Sequence, residues 1–189
     1  LEPTVIFLIG AASSGKSTIG KLIASKYHFS YLDKDMICNN FTGQLLESKG
    51  YSPHERDGND FYSNVVMDLE YQTLLDIAND NLQLGQSVIL DAPFLAYFSD
   101  KQYIHHLKEK YHWTNVKSLV LQVTIDFSVL KERMQARELD RDIWKFDNWD
   151  TYVKSIKERK CLWEGVEMRQ FDNSSPEIDE EKLYETLPF

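Results

Sequence analysis

A chain of 189 residues with 42% hydrophobic and 27% charged residues can bury the core of one domain, which excludes wholesale disorder and leaves little room for a second domain. Lys and Arg number 21 against 30 Asp and Glu, and the net charge of −9 argues against gripping nucleic acid or an anionic membrane by bulk charge, though it permits a small basic pocket. Two cysteines, Cys38 and Cys161, are too few for a disulfide framework, and the N-terminal apolar run Val5–Ile9 is too short to span a bilayer and lacks the flanks of a signal peptide, so a cytoplasmic protein is the expectation.

Thr4-Val5-Ile6-Phe7-Leu8-Ile9 is a continuous apolar run that stops at Gly10, the pattern of a central parallel strand covered on both faces. Ile19, Leu22 and Ile23 recur at helical spacing between Gly15 and Tyr27, and a short strand is expected over 29–32. Residues 39–60 carry Gly43, Gly50, Pro53 and Gly58 among polar neighbours and read as a loop-rich insertion with one short helix near Leu45. Helical rhythm returns over 61–84 through Val65, Val66, Leu69, Leu74, Leu75, Ile77 and Ala78, until Gly85 stops it. The spans 87–90 and 116–125 read as strands and 99–111 as a helix, while Asp126 is placed to cap a helix reaching about Leu139. A helix over 148–163, a weak last strand over 166–171 and a C-terminal helix with Pro176 in its first turn follow. Strands alternating with helices, without repeats, predict an α/β three-layer fold with a mostly parallel sheet.

Gly10-Ala11-Ala12-Ser13-Ser14-Gly15-Lys16-Ser17 matches G-x-x-x-x-G-K-[ST] at every fixed position, between a buried strand and a helix. The two glycines permit a tight loop whose backbone N–H groups converge on anionic oxygens, and the next helix adds its positive end. Lys16 would bring a mobile charge to the β- and γ-phosphates, and Ser17 a hydroxyl to Mg²⁺. With Thr18 just beyond, this loop is the expected binding site for a nucleoside triphosphate.

Asp33-Lys34-Asp35 follows the short second strand. The carboxyl ends of parallel strands share one edge, so Asp33 and Asp35 are expected near Ser17 and the γ-phosphate. One would hold Mg²⁺ through water and the other accept the proton of an attacking hydroxyl; the plainer alternative is a helix N-cap with a solvated companion. Ser87-Val88-Ile89-Leu90-Asp91 has the form of a Walker B strand, and Asp91 could serve the metal or the acceptor. Arg133, Arg137 and Arg141 recur every fourth residue and would share one helix stripe. Among Glu132, Glu138, Asp140 and Asp142 such a stripe is ordinarily a salt-bridged surface. Beside a phosphate site it acquires a second use, and Arg137 and Arg141 are expected to reach the transferring group.

Together the phosphate loop, Asp33-Lys34-Asp35, Asp91 and the Arg133/Arg137 helix resemble the small P-loop kinases of gluconate kinase and shikimate kinase type, within a broader set that includes polynucleotide and antibiotic kinases. The resemblance covers residues 4 to about 175. It implies a three-layer α/β/α fold, five parallel strands in order 2-3-1-4-5, and a helical lid after the fourth strand, at about residues 133–150. It also implies an acceptor site in the 39–60 insertion, near Tyr51, Arg56 and Phe61. By the same resemblance Arg133 would stack on adenine, Arg137 would contact phosphates, Asp35 would be the base, and Asp33 would support the metal. Two departures bear on the acceptor. The Asp-x-Asp lacks the histidine that follows it in gluconate kinases, and Cys38 stands where polynucleotide kinases of this type carry an arginine.

The activity expected is therefore Mg²⁺- and ATP-dependent phosphoryl transfer to a hydroxyl of a small metabolite, gluconate- or shikimate-like. The alternatives are a polynucleotide 5′-hydroxyl kinase, disfavoured by the net charge and by Cys38, and a nucleotide-hydrolysing switch, for which the guanine-reading Asn-Lys-x-Asp is missing. His28, His54, His105, His106 and His112 show no spacing suited to a transition metal. Trp144, Phe146, Trp149, Tyr152 and Trp163 read as the packing of a late helix rather than as a base-stacking platform.

Overall fold

The computed structural model describes residues 2–136 and 143–189. Its central strand, β1 (Thr4–Gly10), is buried almost throughout. Val5, Phe7 and Ile9 join one core, while Ile6 and Leu8 join the other. That alternation, in a run apolar on both faces, is what a strand between two helical layers requires. β2 (Ser30–Asp33), β3 (Val88–Asp91), β4 (Lys117–Thr124) and β5 (Glu167–Asp172) complete a parallel sheet of order β2-β3-β1-β4-β5, as predicted.

On the Phe7 face, α3 (Met67–Gln83) and α4 (Tyr103–Tyr111) contribute Tyr71, Leu74, Ala78, Ile104 and Leu107. The opposite face receives Ile19 and Ile23 from α1 (Lys16–Tyr27) and Leu183 from α8 (Glu180–Glu185). β1 lies between β3 and β4, so the loop after it opens at the carboxyl edge where connections diverge, the place at which such sheets hold ligands. Phe94, just beyond β3, has φ 54°; its backbone N–H donates to the Tyr71 hydroxyl at 2.8 Å, and its ring packs edge-on to Phe7 and Trp163.

Several spans differ from the sequence expectations. The insertion predicted over 39–60 is helical in its first part, because α2 runs Lys34–Glu47. Its inward stripe of Lys34, Cys38, Thr42 and Leu46 holds two polar residues, which hid the helical period behind polar composition. A single π-helical stretch, Tyr62–Val66, precedes α3. The helix expected over 148–163 is α7 (Trp149–Glu158); beyond it the chain turns back, and the Leu162 N–H donates to the Phe98 carbonyl at 2.8 Å. Trp163 enters the main core, where its indole N–H donates to the Tyr97 carbonyl at 2.8 Å. Pro176 does not open the last helix, which starts at Glu180 with the Asp179 side chain accepting the Lys182 N–H. Between β4 and α7 lie α5 (Phe127–Ala136) and α6 (Ile143–Asp147). Arg137 and Arg141 fall outside the described residues.

Candidate active site

β1 ends in Gly10 at φ 148°, and Gly15 has φ 90°. A Cβ on Gly10 would stand 2.5 Å from the Val123 carbonyl oxygen, and one on Gly15 would strike the Asn173 side-chain amide. Only glycine satisfies both conformation and clearance there. α1 begins directly afterwards, with no side-chain hydrogen bond at its N-cap and no acidic residue in its first turn. No side chain caps or neutralises its positive end, which therefore favours an anion. The Lys16 ammonium donates to the Ala11 carbonyl across the loop at 3.1 Å.

Ser17 and Tyr31 both donate to Oδ2 of Asp91, each at 2.6 Å. Burial and the Asp91 hydrogen bond hold the Tyr31 hydroxyl well above the usual phenol range, so it stays protonated and remains a donor. The sheet register pairs Asp33 with Asp91 on neighbouring strands. Hydroxyl and carboxylate oxygens few in number suit Mg²⁺, which keeps several waters and takes its other ligands from phosphates. Among the described residues no three His, Cys, Asp or Glu side chains gather as a metal cage. Ser17 and Asp91, with Asp33 alongside, thus fit that ion as ligands or holders of its waters.

Asp33 also opens a helix. Its Oδ1 accepts the backbone N–H groups of Asp35 at 2.9 Å and Met36 at 3.2 Å, so it is the N-cap of α2. Helical geometry then sends the next two side chains apart: Lys34 inward, with 5% of its side chain exposed, and Asp35 outward, with 55% exposed. The Lys34 ammonium bridges them to a third residue, lying 3.0 Å from Asp35 Oδ1 and 2.6 Å from Glu70 Oε2.

Glu70 was missed by sequence reasoning. It accepts from Thr42 at 2.5 Å, from the Tyr62 hydroxyl at 2.9 Å and from Arg56 at 3.4 Å besides Lys34, with its side chain 2% exposed. Burial alone would raise the Glu70 carboxyl, but the hydrogen bonds from Lys34 and Thr42 and the charge of Lys34 hold it below the usual range. Burial would likewise lower the Lys34 ammonium, yet Asp35 and Glu70 outweigh it and hold it above its ordinary value. The directions agree: both groups are ionised. The signal was present in the sequence, since Glu70 sits on the same four-residue stripe as Val66, Leu74 and Ala78, which are core positions.

Two clefts flank these groups. One of about 400 Å³ lies along α2, lined in part by Asn39, Gly43, Gln44, His54 and Arg56. Arg56 donates to Asn39 Oδ1 at 2.7 Å. Of the predicted acceptor residues only Arg56 lines it; Tyr51 and Phe61 stack on each other, with ring centroids 6.4 Å apart. The other, about 260 Å³, is walled by Gly15, Thr18, Arg133, Asn173, Pro176 and Ile178. Arg133 is held there by donating to the Ser175 carbonyl at 2.8 Å, and Asn173 by donating to the Ser14 carbonyl at 2.8 Å. Asn173 had no sequence signal beyond its place after the last strand.

A family model described as an AAA domain matches residues 5–158. The shikimate kinase of Rippkaea orientalis (strain PCC 8801 / RF-1) is 23% identical over 194 residues, covering all of this chain and 90% of that protein. Among solved structures, an inferred kinase of Chloroflexus aurantiacus superposes with a TM-score of 0.64 at 20% identity, covering 97% of this chain and 93% of the other. A gluconokinase of Sinorhizobium meliloti 1021 superposes at 0.52 with 18% identity, over 98% and 87% of the two chains.

Proposed function

The chain belongs to the AAA domain family, as a small P-loop kinase, and from that premise we propose that it moves the γ-phosphoryl group of ATP to a hydroxyl of a small metabolite. The observation that carries this reading is the shared edge at which Ser17 donates to Asp91 while the register sets Asp33, the N-cap of α2, beside Asp91, with Asp35 two residues further on. A phosphate loop, metal-fitting oxygens and an exposed carboxylate two residues beyond Asp33 support this reading.

The backbone N–H groups from Gly10 to Thr18 would cradle the phosphates, and Lys16 would leave the Ala11 carbonyl to follow the β- and γ-oxygens. Arg133 and the 260 Å³ cleft beside Gly15 suit the adenine ring. Ser17, Asp91 and Asp33 would hold Mg²⁺, which when bound offsets phosphate charge. Asp35, exposed at the first turn of α2, would accept the proton of the attacking hydroxyl. The acceptor would lie along the α2 cleft beside Arg56, within residues 39–60. Residues 133–150 would close as a lid, bringing Arg137 and Arg141 to the transferring group. The likeness to shikimate kinase and gluconokinase supports a polyhydroxylated metabolite as acceptor.

The test is ATP turnover without acceptor, with a panel of hydroxylated metabolites that includes shikimate and gluconate, and with single-stranded DNA bearing a 5′-hydroxyl. Stimulation by one metabolite, with ADP and phosphorylated product formed one for one, is the expected result. Stimulation by DNA alone would overturn the proposal.

A further inference from the structure

We propose that Glu70 is a positioning residue of this site: through Lys34 it fixes the carboxylate of Asp35, and by direct contact it fixes the Arg56 guanidinium on the wall of the α2 cleft. That Asp35 serves as a base rests on the function proposed above; the coupling among these side chains does not.

Lys34 is the first residue of α2, where the helix presents its positive end and a cation is disfavoured. It is also buried, so its charge requires carboxylate partners. Among the described residues two are in reach, Asp35 at 3.0 Å and Glu70 at 2.6 Å. Glu70 is the firmer anchor, because both of its oxygens are saturated by donors from three segments: Lys34 and Thr42 of α2, Tyr62 of the π-helical stretch, and Arg56 of the intervening loop. With the ammonium tethered there, Lys34 lies 3.0 Å from Oδ1 of Asp35 and orients that carboxylate. Were Glu70 uncharged, Asp35 would be, among the described residues, the one carboxylate left paired with the buried ammonium. Lys34 would then close upon it and compete with an acceptor hydroxyl for its oxygens. The same loss would leave the Arg56 guanidinium without its carboxylate, held by Asn39 at 2.7 Å on the cleft wall and by the face of the Tyr62 ring. Base and cleft wall are thus referred to one buried carboxylate.

The experiment compares wild type, Glu70→Gln, Lys34→Met/Glu70→Gln and Asp35→Asn in protein labelled with ¹³C at the aspartate carboxyls. The Asp35 resonance is the one that Asp35→Asn removes. It should move in Glu70→Gln and in the double variant. With the acceptor found by the panel, kcat should fall up to about 100-fold in both, the scale expected for a misplaced reacting group, with ATP affinity unchanged. The double variant removes both buried charges and keeps a side chain of the same shape at position 70, with one oxygen to accept from Thr42 and Arg56 and an NH2 that the Tyr62 hydroxyl can accept from, so it reports even if Glu70→Gln alone does not fold. An unmoved Asp35 resonance in a folded double variant would overturn the coupling and leave Glu70 as a structural strut. Wild-type kcat in the double variant would also overturn it. Near-normal kcat in Asp35→Asn, with the resonance still moving in the other variants, would instead refute the base and leave the coupling standing.

Discussion

Lys16 is half-buried and its ammonium donates to the Ala11 carbonyl at 3.1 Å; it stands outside both apolar cores, so its removal takes away charge rather than core packing. Lys16→Ala should therefore keep the wild-type melting temperature and lose about 10²-fold or more of steady-state ATP turnover, the scale for deleting a preorganised electrostatic contact. Asp35 makes no helix-capping bond, because that task belongs to Asp33. Asp35→Asn should lower kcat by about 10²–10⁴-fold, the usual contribution of a general base, with little change in stability or ATP affinity. Asp33→Asn exchanges one good N-cap for another, so a melt should register a cost of about 1 kcal/mol or less. Its kinetic signature should be a raised Mg²⁺ requirement, read from turnover across a magnesium titration and relieved by excess metal. The two aspartates stand two positions apart and read alike in sequence. What separates them is that one oxygen of Asp33 is committed to the backbone of α2 while Asp35 points to solvent.

The packing of α2 on α3 depends on the pair Lys34–Glu70, and its pH dependence has a definite sign. The Glu70 carboxyl lies below its ordinary value of 4.5 in the folded protein. Its contribution is thus complete above the unfolded value and is lost as pH falls through the folded one. Thermal melts from about pH 7 down to about pH 3 should show wild type losing stability relative to Lys34→Met/Glu70→Gln only below about pH 4.5. Near neutral pH, Glu70→Gln alone leaves the buried ammonium short of a partner and should cost about 3–5 kcal/mol in a urea titration. The double variant should lose far less, since replacing both members of a buried pair is often close to neutral. Sequence periodicity found α3 but not the polar side of α2. Thr42 and Lys34 are buried yet polar, and a rule that equates burial with apolarity cannot detect a stripe completed by an ion pair.

Across the whole molecule, the phosphate loop is carried by β1, whose Phe7 ring sits edge-on to both Phe94 and Trp163 at centroid distances of 5.5 Å. Phe7→Ala should cost about 3–5 kcal/mol in chemical denaturation, the range for emptying a buried aromatic site. ATP with Mg²⁺ should raise the melting temperature, because ligand at about 100 times its Kd adds about 2.7 kcal/mol to the folded state; chelation by EDTA should shrink that rise if Ser17 and Asp91 hold the metal. The strand, loop and helix around Gly10–Ser17 were legible from sequence alone, as was the parallel three-layer architecture. The reason is physical: an eight-residue loop with two obligatory glycines needs no distant partner to define its shape, and apolar runs report their own burial. Strand order came instead with the family resemblance and agrees with the observed sheet. Tertiary structure alone decided the partners of Asp91, the seating of Asn173 against the phosphate loop, and the partners of Glu70. Glu70 is read by donors eight to 36 positions away along the chain, and a carboxylate acquires its meaning from the charges and donors that the fold brings to it.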